Sequence, residues 1–286
     1  MADTDAPTPP AGDSGHAQQQ QPAGAPYRLL QLTDLHLFAD PQRRLLGQNT
    51  RRTLESVLTL AQTKYWPPDG IVLTGDLVHD EEPAAYDVLR RRFDGLRIPY
   101  HCIPGNHDRL DLLVGHLDAG AASALRLVTA GAWDLLLLDS TLPAQAGGHL
   151  DEGVLAGIAE HAAAASKRPT LVFLHHHPAP MGSHWIDTMQ VDNGASALAA
   201  LAHHPQLRAV ICGHVHQHAE QEHEGVRLLA TPSTCVQFLP DSDRFALDTL
   251  TPGYRWLDLY PDGRLTTGIE RTAAYPEPLV PATEGY

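Results

Sequence analysis

Cysteine is scarce in this 286-residue chain. Cys102, Cys212 and Cys235 stand far apart and none belongs to a Cys-x-x-Cys pair, which excludes a disulfide framework. Long apolar runs are missing as well. None approaches the roughly 18 residues of a membrane-spanning helix, and the N-terminus has no basic stretch followed by an apolar segment. These absences predict a cytoplasmic protein with no membrane association. Positive charge is also short: 20 Lys and Arg face 34 Asp and Glu, a formal net charge of −14. That argues against a broad grip on nucleic acid, where neutralising phosphates supplies most of the affinity. An anionic substrate would need local positive charge that these side chains lack in bulk. Bound metal ions, often the largest charges in a site, could provide it, and 18 histidines are available as ligands.

What is present is an alternation of elements. Residues 1–26, rich in Pro, Gln, Ala and Gly, read as a disordered tail, and 27–286 as a single domain. Continuous apolar runs lie at 28–34, 70–76, 99–108, 133–140, 170–177 and 207–216, a pattern of strands covered on both faces. Apolar residues at helical spacing predict helices over 49–65, 84–96, 151–165 and 195–204, the first with Asn49 or Thr50 as its N-cap. After Gly213 the pattern turns to hairpins, leaving the last ~35 residues as a β-rich extension. The alternation predicts an α/β fold with ligands beyond the carboxyl ends of the strands.

Those strand ends carry chemistry. The first closes with Asp34-Leu35-His36, whose outer two residues share a face if the chain stays extended. The second closes with Gly75-Asp76, a carboxylate with two oxygens behind a glycine that permits close backbone approach. The third closes with Gly105-Asn106-His107-Asp108: an amide oxygen for a metal, an imidazole to move a proton, and a carboxylate that could fix its tautomer. Three histidines, His175, His176 and His177, end another run, and Gly213-His214-Val215-His216 ends the last.

In this order, each after an apolar strand, these motifs resemble the calcineurin-like metallophosphoesterases. The stretches "LLGQNT" (45–50), "LHHHPAP" (174–180), "TPSTCVQF" (231–238), "LDTLTPGYRWLDL" (247–259) and the terminal "EGY" are similar to bacterial class III 3′,5′-cyclic AMP phosphodiesterases. The resemblance implies a sandwich of two mixed β-sheets flanked by helices, with C-terminal hairpins. It implies one metal on Asp34, His36, Asp76 and His216, and a second on Asp76, Asn106, the histidine that ends the "TLVFL" strand and His214. His107, helped by Asp108, is then the proton donor. It implies iron or manganese first, with zinc or cobalt as alternatives, since nitrogen and oxygen ligands suit all four. The reaction implied is hydrolysis of cyclic AMP to 5′-AMP by a hydroxide bridging the two metals, with His107 protonating the leaving O3′.

Other readings stay open on the sequence alone. The same fold could act on a glycerophosphodiester, a 2′,3′-cyclic nucleotide or a nucleotide-linked compound, or serve as a non-catalytic binding protein. Substrate contacts are expected from Asn106, His107, His36, His216 and His177. Thr234, Cys235, Gln237, Asn49 and His149 are candidates to border the base. His175, the first residue past "TLVFL", is the expected second-metal ligand. His176 should point away if the segment stays extended, while a turn before Pro178 would bring it back to the cleft, and His177, before a proline, is expected at the substrate mouth. The C-terminal hairpins offer a surface for a homodimer.

Overall fold

The computed structural model describes residues 24–164 and 167–280. Most of the predicted disordered head and the terminal Glu-Gly-Tyr lie outside the described residues. The chain runs through β1 (Tyr27–Leu32), α1 (Thr50–Lys64), β2 (Gly70–Thr74), α2 (Pro83–Asp94) and β3 (Tyr100–Ile103). It continues with α3 (Leu110–His116), a 3-10 turn at Ala119–Ala122, β4 (Leu125–Ala130), β5 (Trp133–Leu138), α4 (Glu152–Ala163) and β6 (Thr170–Phe173). The short α5 (His184–Asp187), α6 (Gly194–Ala202), β7 (Leu207–Cys212), β8 (Ala219–His223), β9 (Val226–Ala230), β10 (Gly253–Leu259) and β11 (Leu265–Arg271) complete it.

The strands form two mixed sheets. One has the order β11-β10-β1-β2-β3, the other β4-β5-β6-β7-β9-β8. Strand alternation explains the layers. Leu29, Val72, Leu135, Leu137, Leu171, Phe173 and Ile211 point between the sheets and form the central core. Their neighbours Leu30, Leu32, Ile71 and Leu73 face α1, α2 and α3, and Leu136, Val172 and Val210 face the second helical layer. Both faces of each sheet are thus covered, which is why the strands read as unbroken apolar runs.

Local chemistry sets the element ends. Asn49 caps α1, its side chain accepting from the Arg52 N–H, and Pro83 opens α2, a position where the missing N–H costs nothing. The β8–β9 hairpin turns at Glu224 and Gly225, both at positive φ, as a two-residue hairpin requires. The C-terminal hairpin joins the first sheet, where β10 pairs antiparallel with β1. The regular strands also end earlier than the apolar runs suggested. β1 stops at Leu32, β2 at Thr74 and β6 at Phe173, and the residues beyond them turn.

Candidate metal centre

The turns after β1, β2, β3, β6 and β7 meet at one edge of the two sheets. They are tied by backbone hydrogen bonds: Asp34 N–H donates to the Gly75 carbonyl (3.0 Å), His36 N–H to Asp76 (2.9 Å) and Gly213 N–H to His175 (3.1 Å). Asp34, His36, Asp76, His214 and His216 all have φ between 46° and 65°, the left-handed region that non-glycine residues seldom occupy. This corrects the extended geometry expected for Asp34/His36 and His214/His216. Each pair converges because both members are turned, where an extended chain would have aligned them by period-two spacing.

The side chains converge on Asp76. One Asp76 oxygen lies 3.6 Å from His36 Nε2 and 3.4 Å from His175 Nε2. On one side, His216 Nε2 is 3.3 Å from an Asp34 oxygen and 3.3 Å from His36 Nε2. On the other, His175 Nε2 is 3.2 Å from the Asn106 side-chain oxygen. Carbonyl oxygens orient two of the rings: His175 Nδ1 donates to Thr74 (2.8 Å) and His216 Nδ1 to Val236 (2.8 Å). That leaves Nε2 of each facing the cluster, the arrangement by which backbone partners fix a ligating histidine.

This donor set fits two metal ions. Asp34, His36 and Asp76 bring ligand atoms within 4.8 Å of one another, as do His175, His176 and His214. His214 Nε2 is buried with no hydrogen-bond partner, a costly state for a polar atom unless it binds something. Burial holds the His36, His176 and His214 imidazoles well below their ordinary pKa, so they are neutral and can donate a lone pair. Burial works to raise Asp76, but the His175 and His107 imidazoles outweigh it and keep the carboxyl well below its usual range. Burial works to lower His175, yet the Asp76 charge brings it up to about 9. Cys235 Sγ lies within 4.8 Å of ligand atoms of His36 and His216, a neighbour the sequence reading did not place there. Burial pushes its thiol up to about 12.

The centre opens into a cleft of about 300 Å3, at the small end of ligand sites. Asp76, Asn106, His107, His214 and His216 line one part of it. Ala144, Gln145, Ala146, Ile186, Met189 and Phe238 line the rest. His107 N–H donates to Asp76 (2.9 Å), and its ring stacks on His79 with centroids 5.0 Å apart.

Several sequence expectations need correction. His36 and His177 are fully buried and do not line the cleft; His177 Nε2 instead lies 3.3 Å from an Asp187 oxygen. His176 does not point away from the centre, because the chain bends after Phe173 and brings it beside His175 and His214, with its Nδ1 2.9 Å from Ser140 Oγ. The Asp108 carboxylate accepts from the N–H groups of Leu77, Val78 and Gly105 and from the Tyr86 hydroxyl. Thr234, Cys235 and Gln237 are buried, Asn49 is a helix cap, and His149 is paired with Asp192. None of these five lines the cleft.

Sequence reasoning missed His79. Its Nδ1 is 3.2 Å from His36 Nδ1, and only its place three residues after Asp76 hinted at it. It also missed the cleft wall from Ala144 to Ala146, and Phe238, which stacks on His216 at 4.0 Å and 7°.

Known proteins share this chain's sequence and architecture. It is 41% identical over 260 residues to the 3′,5′-cyclic adenosine monophosphate phosphodiesterase CpdA of Escherichia coli, covering 91% of this chain and 94% of that protein. It is 41% identical over 243 residues to CpdA of Pseudomonas aeruginosa, covering 85% and 89%. A 3′,5′-cyclic-nucleotide phosphodiesterase of Nostoc is 34% identical over 256 residues, covering 90% and 96%. Among solved structures, a dimetal phosphatase from Danio rerio has the same fold, with a TM-score of 0.62 at 15% identity over 87% of this chain and 100% of that one. Residues 27–218 match the calcineurin-like phosphoesterases, and the chain belongs to that family.

Proposed function

We propose that this protein hydrolyses 3′,5′-cyclic AMP to 5′-AMP. The observation that carries the reading is Asp76 standing between two groups of histidine, carboxylate and amide ligands at the base of a nucleotide-sized cleft. The whole-length likeness to cyclic AMP phosphodiesterases supports the substrate. Asp34, His36, Asp76 and His216 would hold one ion, and Asp76, Asn106, His175 and His214 the other. Iron or manganese ranks first, with zinc or cobalt as alternatives. Such a pair supplies positive charge for the diester's anionic oxygens and lowers the pKa of water.

The chain's own residues do the rest. Asp76 accepts the His107 N–H and so seats that residue at the cleft edge. The Asp108 carboxylate, held by three N–H groups, anchors the turn that carries Asn106 and His107. His107 delivers a proton to the leaving O3′, and its stacking on His79 holds the ring in place. The three cysteines are free and buried, as suits a reducing compartment, and the cytoplasm is where we place the enzyme. The test is turnover of cyclic AMP, cyclic GMP, a 2′,3′-cyclic nucleotide and an aryl phosphodiester under manganese or iron loading, with metal analysis. We expect 5′-AMP as product and two metals per chain. Asp76→Ala should lose both metals and turnover. Hydrolysis of the aryl diester without cyclic AMP hydrolysis would overturn the substrate assignment.

A further inference from the structure

Part of the cleft wall comes from two segments. One is Thr141–Gly148, between β5 and α4, closed at its base by pairing of Thr141 with Gly148 and joined through Gly148 to Val191. Within it, Leu142 to Gln145 form a β-turn: Gln145 N–H donates to the Leu142 carbonyl at 3.2 Å. Pro143 takes the second place and Ala144, at φ 55°, the third. The third place of such a turn normally goes to glycine. An alanine there is strained, and strain of this kind gathers where a side chain must be held in position.

The other segment, between β6 and α6, supplies Ile186 and Met189. With Phe238 and the two alanines, they make this part of the cleft apolar. Gln145 is its one polar side chain among the described residues. It is exposed, and its amide makes no hydrogen bond to the described residues.

We infer that Gln145 reads the base of the bound nucleotide. The inference rests on the cyclic AMP reading above. The metal centre accounts for the phosphate, so the nucleoside must lie along the wall that carries Gln145 and Met189. Apolar side chains there suit the faces of a purine ring. A glutamine amide offers one acceptor and one donor side by side, matching the N6 amino group and N7 of adenine. Guanine presents two acceptors, O6 and N7, on the same edge and would leave the glutamine oxygen facing a carbonyl.

The test compares kcat and KM for cyclic AMP, cyclic GMP and an aryl phosphodiester in the metal-loaded enzyme. Gln145→Ala should lower kcat/KM for cyclic AMP about tenfold, chiefly through KM, the scale of two modest hydrogen bonds. The aryl diester, which has no purine edge, should lose far less. Gln145→Arg, with two donors for O6 and N7, should shift the ratio of the two nucleotides toward cyclic GMP. Equal losses on all three substrates, or no change on any, would overturn the role of Gln145 and leave the phosphodiesterase reading standing. A wild-type enzyme that turns over only the aryl diester would overturn both.

Discussion

At the scale of single residues, the site depends on what holds the second nitrogen of each histidine. Backbone carbonyls hold His175 and His216, but His36 meets His79. That contact joins a proposed metal ligand to the ring on which His107 stacks. His79 is therefore a positioning residue for both. His79→Ala should lower kcat by roughly 10- to 100-fold, the usual effect of losing a partner behind a ligating histidine. KM should change little, and the melting temperature should stay within a few degrees because His79 is only half buried. His79→Gln, which keeps a hydrogen-bonding group, should recover part of the rate. Steady-state kinetics with metal content measured alongside would decide; an unchanged kcat would remove His79 from the mechanism.

At the scale of elements, the glycines at the strand ends matter as much as the ligands. A Cβ on Gly105 would run into the Asp76 carboxylate and backbone, one on Gly75 into the His175 ring, and one on Gly213 into Thr33. These three motifs open on glycine because the neighbouring turn packs directly on its backbone. Gly105→Ala should cost roughly 1–3 kcal/mol, as overpacking does, and displace Asp76, so that stability and metal content fall together. Gly115, in α3, meets nothing within 4 Å. Gly115→Ala should instead stabilise by about 0.5–1 kcal/mol through helix propensity. Denaturant midpoints of the two variants make the comparison. The motif glycines were legible in the sequence as permission for close approach. What approaches them was not, since His175 lies a hundred residues from Gly75.

At the scale of the whole molecule, two sheets are joined at an edge crowded with carboxylates and imidazoles. Ions that bind only the folded state stabilise it by mass action, about 4 kcal/mol at a thousandfold excess over Kd. For a chain of this size, chelation should lower the melting temperature by roughly 10 °C, and added manganese should restore it. The direction with pH follows from the buried histidines. His36 and His214 are held below their ordinary value by burial, so below about pH 6.5 the unfolded chain takes up protons that the fold excludes. The contribution of these two histidines is present above that pH and lost as pH falls, whereas Asp108, pushed up to about 7 by burial, works the other way between pH 7 and 4. Protons also compete with the metals for the same nitrogens, so calorimetry and metal retention should decline together on the acid side. Constant stability from pH 7 to 5 would contradict this.

The layers and the candidate ligands were legible in one dimension. Unbroken apolar runs encode strands covered on both faces, and each run stops at residues with donor atoms or titratable groups. Both signals are local, and local patterns survive in one dimension. Tertiary structure alone decided how the ligands converge, through left-handed turns where an extended chain was expected. It decided that β10 enters the first sheet beside β1, that His176 turns back toward the centre while His177 is sealed off, and that Gln145 lines the same cleft as Asp76. These are relations between segments far apart in the chain, set by packing and by backbone hydrogen bonds between turns. No periodicity within a single segment carries them.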